Sequence, residues 1–305
     1  MVTQNALVPQ RNVRAAARLS RVQRSGSAMN ILDPQGPIGV ADKTILIDSL
    51  AIMLAIVLPT IVAIFAFAYW FRASNTKAFH WPDWEYSGRI ELVVWSVPAL
   101  TVILLAGVTW IGAHQLDPAK PIEGPEKPLA IQAVSLDWKW LFIYPDQKIA
   151  TINTLTVPAG TPLQFQLTSA SVMNAFFIPQ FGSMIYTMYG MTTRLNLQAD
   201  RPGTFQGLSS HFSGDGFSGM HFDVHVVPSE QFSKWAQDAS NAKQALDERV
   251  YGEIAKPSMN NPPAIYRLAD PNLFQSIVTQ KIPPSPGAPS GVIGADLPSG
   301  VADAR

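Results

Sequence analysis

SLAIMLAIVLPTIVAIFAFAYWF, from Ser49 to Phe71, runs for 23 residues without a charge, and LVVWSVPALTVILLAGVTWIGA, from Leu92 to Ala113, does so for 22 more. At about 1.5 Å of rise per residue, each stretch crosses a hydrocarbon layer of about 30 Å if it is helical. A buried soluble helix shares this composition, but two such runs in close succession predict a transmembrane hairpin. Pro59 and Pro98 lie inside the runs; a proline costs a soluble helix about 3 kcal/mol and is better tolerated within a membrane. Tyr69, Trp70, Trp95 and Trp110 lie toward the ends, where aromatic rings anchor at the interface.

The rest of the composition narrows the function. The 305 residues carry 22 Lys+Arg against 22 Asp+Glu, with 14% charged and 47% hydrophobic residues, which excludes disorder of the whole chain. A zero net charge, with no long basic run beyond residue 24, supplies too few phosphate contacts for nucleic-acid binding. The absence of cysteine removes disulfides, thiolate metal sites, iron–sulfur clusters, cysteine nucleophiles and thiol-linked lipids.

Two spans put both flanking regions on one side of the membrane and the Arg72–Arg89 loop on the other. Arg72, Lys77 and Arg89 draw that loop to the cytoplasm. Arg11, Arg14, Arg18, Arg21 and Arg24, at helical spacing, draw the N-terminus there as well, so the two signals conflict. Either the tail is a removed targeting segment or it is a basic solvated extension; residues 1–40 hold no apolar signal-peptide core.

Past His114 the pattern changes. DPAKPIEGPEK (Asp117–Lys127) reads as a linker, and alternating strands follow. They are expected at Leu129–Leu136, Trp138–Tyr144, Thr154–Val157, Leu163–Leu167, Ala175–Ile178, Thr193–Leu197, Thr204–Leu208 and Met220–Val227, which predicts an all-β sandwich or barrel of about 100 residues. Ser229–Ala255 reads as a helix with Ser229 as N-cap and Phe232, Trp235 and Ala236 on one face. The division is an N-terminal extension (1–43), the helical hairpin (44–114), a linker (115–128), the β domain (129–228), a helical C-terminal segment (229–282) and a tail (283–305) whose Pro/Gly/Ser/Ala composition predicts disorder.

DWKW (Asp137–Trp140), the long stretch from Val172 to Gly207, and SSHFSGDGFSGMHF (Ser209–Phe222) resemble subunit II of the haem–copper respiratory oxidases, in its cytochrome o-type ubiquinol oxidase branch. LDPQGPIG (Leu32–Gly39), RASN (Arg72–Asn75) and WSVP (Trp95–Pro98) extend the likeness over roughly residues 30 to 240. The resemblance implies a two-helix transmembrane hairpin followed by a cupredoxin-like sandwich on the periplasmic side of a bacterial inner membrane. In the branch that oxidises cytochrome c, that sandwich holds a dinuclear copper centre with ligands in the pattern His, then C-x3-C-x3-H-x2-M, plus a backbone carbonyl. Aligned on that pattern, this sequence has Asn174 for the first His, Ser209 and Ser213 for the two Cys, Phe217 for the second His, Met220 for the Met, and His211 at the carbonyl position. Soft thiolate is what selects copper, and serine oxygen is a poor substitute. The alignment therefore implies no dinuclear copper centre and no electron transfer from cytochrome c.

The same resemblance implies a non-catalytic subunit without a cofactor of its own. Ubiquinol oxidation, oxygen reduction, the haems and one copper fall to subunit I, and subunits I, III and IV with membrane lipid are the expected partners. It further places a carboxylate, Glu91, near the entrance of a proton path into subunit I. Glu91 also fits a plain helix-end role, stabilised by the macrodipole by about 0.3 to 1 kcal/mol; an ionisable group at the membrane edge keeps both readings open. Asp48 is expected to be a helix-end carboxylate.

Other groupings have simpler explanations. His221 and His225 flank Asp223, but four strand residues separate the histidines by about 13 Å, which suits solvated side chains better than a metal site. Ser209, His211 and Asp215 hold hydrolase residue types without a nucleophile elbow. Trp138 and Trp140 are expected to pack against the sandwich or subunit I. Three classes stay in view: an oxidase subunit, a free-standing membrane-anchored β domain that binds a solute or partner, and a copper electron carrier, which the missing ligands disfavour.

Overall fold

The computed structural model describes residues 31–79, 81–124 and 126–284. The Arg-rich N-terminus, and the tail from residue 285 on, lie outside the described residues.

Helix α1 spans Pro37–Trp70 and α2 spans Gly88–Gln115. The sequence boundary at residue 44 is thus too late: Pro37 occupies the first turn after an extended Gly36, where its missing N–H and fixed φ suit a helix start. Asp42, Lys43 and Asp48 precede the charge-free run, so hydropathy alone passes over this part of the helix. Asp48 also falls well inside the helix, so the helix-end explanation for it fails. Both helices continue through Pro59 and Pro98. Their most apolar stretches are unburied within the chain, leaving those surfaces for lipid or other subunits. The start of α1 meets the end of α2 at Gly112, where a Cβ would come 2.7 Å from Ile45 Cδ1.

The β domain holds β1 (Leu129–Leu136), β2 (Lys139–Tyr144), β3 (Ile149–Ile152), β4 (Thr154–Pro158), β5 (Pro162–Ser169), β6 (Asn174–Phe177), β7 (Ile185–Thr187), β8 (Thr193–Gln198), β9 (Gly203–Ser209) and β10 (His221–Val227). Strand β2, KWLFIY, is buried along its whole length. Successive side chains alternate between faces: Trp140, Phe142 and Tyr144 enter the core between the sheets, while Leu141 and Ile143 enter a second core behind. A sheet covered on both faces explains why this strand reads as an unbroken apolar run. In the first core Phe176 and Phe222 stack at 5.3 Å, with Trp140 edge-on to both at 5.3 and 5.8 Å.

The C-terminal segment forms that second core; it is helical as expected, but two short strands interrupt it. It contains α3 (Ser229–Ser240), β11 (Ala245–Leu246), α4 (Glu248–Ala255), β12 (Ala264–Leu268) and α5 (Leu273–Val278). Its strands extend one sheet to seven, in the order β11-β12-β3-β2-β1-β5-β8, against five in the other, β4-β10-β9-β6-β7. Leu246, Tyr251, Leu268, Leu273, Phe274 and Ile277 cover the outer face of β1 to β3. The single helix expected over Ser229–Ala255 breaks because Ala245 and Leu246 pair with Arg267 and Leu268. Ser229 is the first helical residue and Pro228 the N-cap; the side-chain cap belongs to Asp247, which accepts from Val250 N at 2.8 Å.

The membrane hairpin is fastened to the sandwich at both ends. Gln35 N donates to Gln180 O at 2.8 Å, Asp200 N donates to Gln35 O at 2.7 Å, and Gly36 lies so close to the Gln198 carbonyl that no Cβ fits. After α2, the Pro118 carbonyl accepts from Asn196 N and Nδ2 at 2.8 and 3.2 Å.

Candidate functional site

One pole of the sandwich gathers the positions singled out by the copper pattern. Strands β6 and β9 pair with Phe176 opposite Ser209, which turns Asn174 and Ser209 inward, where both are buried. Ser209 Oγ donates to Asn174 Oδ1 at 3.1 Å and to the His211 carbonyl at 3.3 Å. Ser209 N donates to Met220 O at 3.1 Å, and Ser213 Oγ lies 3.9 Å from the buried Met220 sulfur. Phe217 opens a short 3-10 turn, Phe217–Gly219; its carbonyl accepts from Met220 N, and its half-buried ring lies 5.6 Å from Phe212. The fold therefore draws Asn174, Ser209, the His211 carbonyl, Ser213 and Met220 together, with Phe217 alongside. Only Met220 offers a soft side-chain donor; the hydroxyls are hard and neutral and the phenyl ring donates nothing.

The other groupings separate. The Ser209 hydroxyl addresses the backbone of His211, not its ring, which faces Tyr186 at 5.7 Å, and Asp215 is exposed. His221 and Asp223 are exposed on the outer face of β10, while half-buried His225 meets Thr204 Oγ1 at 3.3 Å. Trp140 is buried in the core, whereas Trp138, at φ 65°, is half-buried and donates its indole N–H to Ser213 O at 3.0 Å. Around the pole, Met173, Met184, Tyr186, Phe212 and Met259 are exposed although large and apolar.

Glu91 stands in the first turn of α2, on the far side of the membrane hairpin from the sandwich. Its Oε2 accepts from the Trp95 indole N–H at 3.2 Å. Sequence reasoning took Trp95 only as an interfacial anchor, although the four-residue spacing was a visible signal. It also missed Lys139. This lysine is 2% exposed and donates to Lys256 O at 2.7 Å and to Ser258 Oγ. Burial lowers its pKa, an effect partly opposed by Asp137. A lysine heading a fully apolar strand was the available sign.

Residues 146–228 match the family described as cytochrome c oxidase subunit II, periplasmic domain, and residues 241–284 match the COX aromatic rich motif. The chain is 47% identical to cytochrome bo(3) ubiquinol oxidase subunit 2 of Pseudomonas aeruginosa, over 84% of this chain and 77% of the relative. The chain belongs to the ubiquinol oxidase subunit 2 family. Another relative, ubiquinol oxidase subunit 2 of Acetobacter aceti, is 44% identical over 84% of this chain and 84% of its own length. Among solved structures, the periplasmic domain of subunit II of the Bradyrhizobium japonicum cytochrome oxidase is 26% identical, with a TM-score of 0.36, over 38% of this chain and 96% of that one. As a family member, the chain is subunit II of a ubiquinol oxidase of the haem–copper class, with two apolar helices ahead of a cupredoxin-like sandwich.

Proposed function

We propose that this subunit works without a dinuclear copper centre, in a complex that takes its electrons from ubiquinol inside the membrane rather than from cytochrome c. The observation that carries the reading is the donor set at the sandwich pole: two serine hydroxyls, one asparagine amide and one thioether, already engaged with one another or with backbone carbonyls. Such donors do not compete for copper against thiolate and imidazole sites. Quinol oxidation and oxygen reduction then belong to subunit I, with its haems and copper, and this chain supports assembly with subunits I, III and IV. The β domain faces the periplasm of the inner membrane and the Lys77 loop faces the cytoplasm. Glu91 stands near the cytoplasmic entrance of a proton path into a proton-translocating subunit I.

Purifying the chain from native membranes tests the reading. It should arrive with a large haem-containing partner, and the complex should consume oxygen with ubiquinol but not with reduced cytochrome c. A chain isolated without haem would favour a free-standing anchored β domain, and turnover with cytochrome c would overturn the proposed electron route.

A further inference from the structure

We infer that the C-terminal segment serves as an internal clamp, in which the 256–261 loop holds the 210–220 loop in place. The clamped loop joins β9 to β10 and contains Gly214, Gly216 and Gly219, residues that give up much backbone freedom when ordered. Its internal backbone hydrogen bonds are short-range turns: Phe217 N to Gly214 O and Gly219 N to Gly216 O, both at 3.1 Å, and Met220 N to Phe217 O at 3.0 Å. Something outside the loop must offset that cost.

Contacts from two segments do so. The Trp138 ring abuts Gly214 and Gly216, and its N–H binds the Ser213 carbonyl. Met259 and Asn260 press so closely that a Cβ would come 2.8 Å from Met259 Cγ at Gly216 and 2.8 Å from Asn260 Oδ1 at Gly219. The clamping loop is in turn fixed to β2. Asn153 donates from Nδ2 to Asn261 O at 3.0 Å while its Oδ1 accepts from Trp140 N at 2.9 Å. Lys139 reaches across to Lys256 O and Ser258 Oγ. A buried ammonium is costly unless hydrogen-bonded, and these acceptors serve it only while the clamp is shut. Opening the clamp therefore gives up two charge-assisted hydrogen bonds as well as apolar contacts, so the two loops order together.

These contacts carry the inference independently of how electrons or protons move in the complex. Its test is hydrogen–deuterium exchange on the full-length chain within the purified oxidase, comparing wild type with Lys139→Met and with the triple variant Ser258→Gly, Met259→Gly, Asn260→Gly. Exchange in peptides covering 210–220 should rise at least about tenfold in both variants, while 203–208 and 222–227 stay protected. Lys139→Met leaves the clamping loop's sequence intact and the triple variant leaves Lys139 intact, so either result stands if the other variant fails to assemble. Wild-type exchange in 210–220 would overturn the clamp. So would equal loosening of every strand, or failure of both variants to assemble, because each marks the segment as a general stability element rather than a local one.

Discussion

In the proposed reading, Ser209 and Ser213 carry oxygen where a dinuclear copper centre would need sulfur. Ser209 shares its one O–H between Asn174 Oδ1 and the His211 carbonyl, so the buried hydroxyl is satisfied within the chain. Returning Asn174→His, Ser209→Cys, Ser213→Cys and Phe217→His to this pole supplies the thiolates and imidazoles that accompany Met220. The fourfold variant should take up two copper ions per chain and colour intensely through thiolate-to-copper charge transfer, with wild type remaining uncoloured. A folded variant without colour would show the ligand assignments to be wrong. Phe217 is only half-buried, so its replacement should cost less than the roughly 3 to 5 kcal/mol of a core phenylalanine. Glu91 is the other residue with a defined expectation. Glu91→Ala should lower quinol oxidase turnover with haem content unchanged, and Glu91→Asp should be milder because it keeps a titrating carboxyl. Because Trp95 donates to that carboxylate, Trp95→Phe should matter in wild type and add nothing in the alanine background. Unchanged turnover in Glu91→Ala leaves only a helix-end role.

Among the elements, β2 and α4 each bury a tyrosine with a consequence for pH. Tyr144 of β2 spans the core to the edge strand β4, donating to Thr156 O at 3.0 Å and accepting from Thr156 N at 2.9 Å, which closes that edge to foreign strands. Tyr251 of α4 lies in the outer core, and burial raises the pKa of both phenols above the ordinary value of 10.0. Both stay protonated in the fold while the unfolded chain ionises, so their contribution is complete below pH 10 and is lost as pH rises beyond it. Lys139, lowered by burial, acts oppositely, but only below its ordinary 10.5. Thermal unfolding of the purified chain should therefore shift to lower temperature above about pH 10, and Tyr251→Phe should reduce that slope. A slope unaffected by the substitution would remove Tyr251 from the account. Elements of this size also show what sequence can reveal. Leu129–Leu136 is legible as a mainly apolar run of eight residues that follows a Pro-rich linker, and the loop pole is legible through the resemblance carried by Ser209–Phe222. Strand β7, at three residues, is too short for periodicity to register, and β12 follows a Pro-rich stretch that reads as loop. The contact between Lys139 and Ser258 escapes because the two residues are 119 positions apart in sequence.

At the scale of the molecule, both membrane helices reach the sandwich from one side, since the start of α1 and the end of α2 each bind near β8. Protease added to intact spheroplasts should cut beyond residue 114 and spare the loop around Lys77; cleavage confined to that loop would invert the orientation. The exposed apolar pole and the bare helix surfaces, meanwhile, leave this chain with much area for neighbours to cover. The double attachment at β8 has a bearing on how those neighbours arrive. A domain hung from one flexible tether samples many tilts above the bilayer, and each incoming subunit must wait for, and then freeze, the right one. Here Gly36 wedged against the Gln198 carbonyl and Pro118 held by Asn196 remove the swivel in advance. The entropy of orienting the domain is spent when this chain folds, so docking joins two rigid bodies and keeps more of its contact energy as affinity.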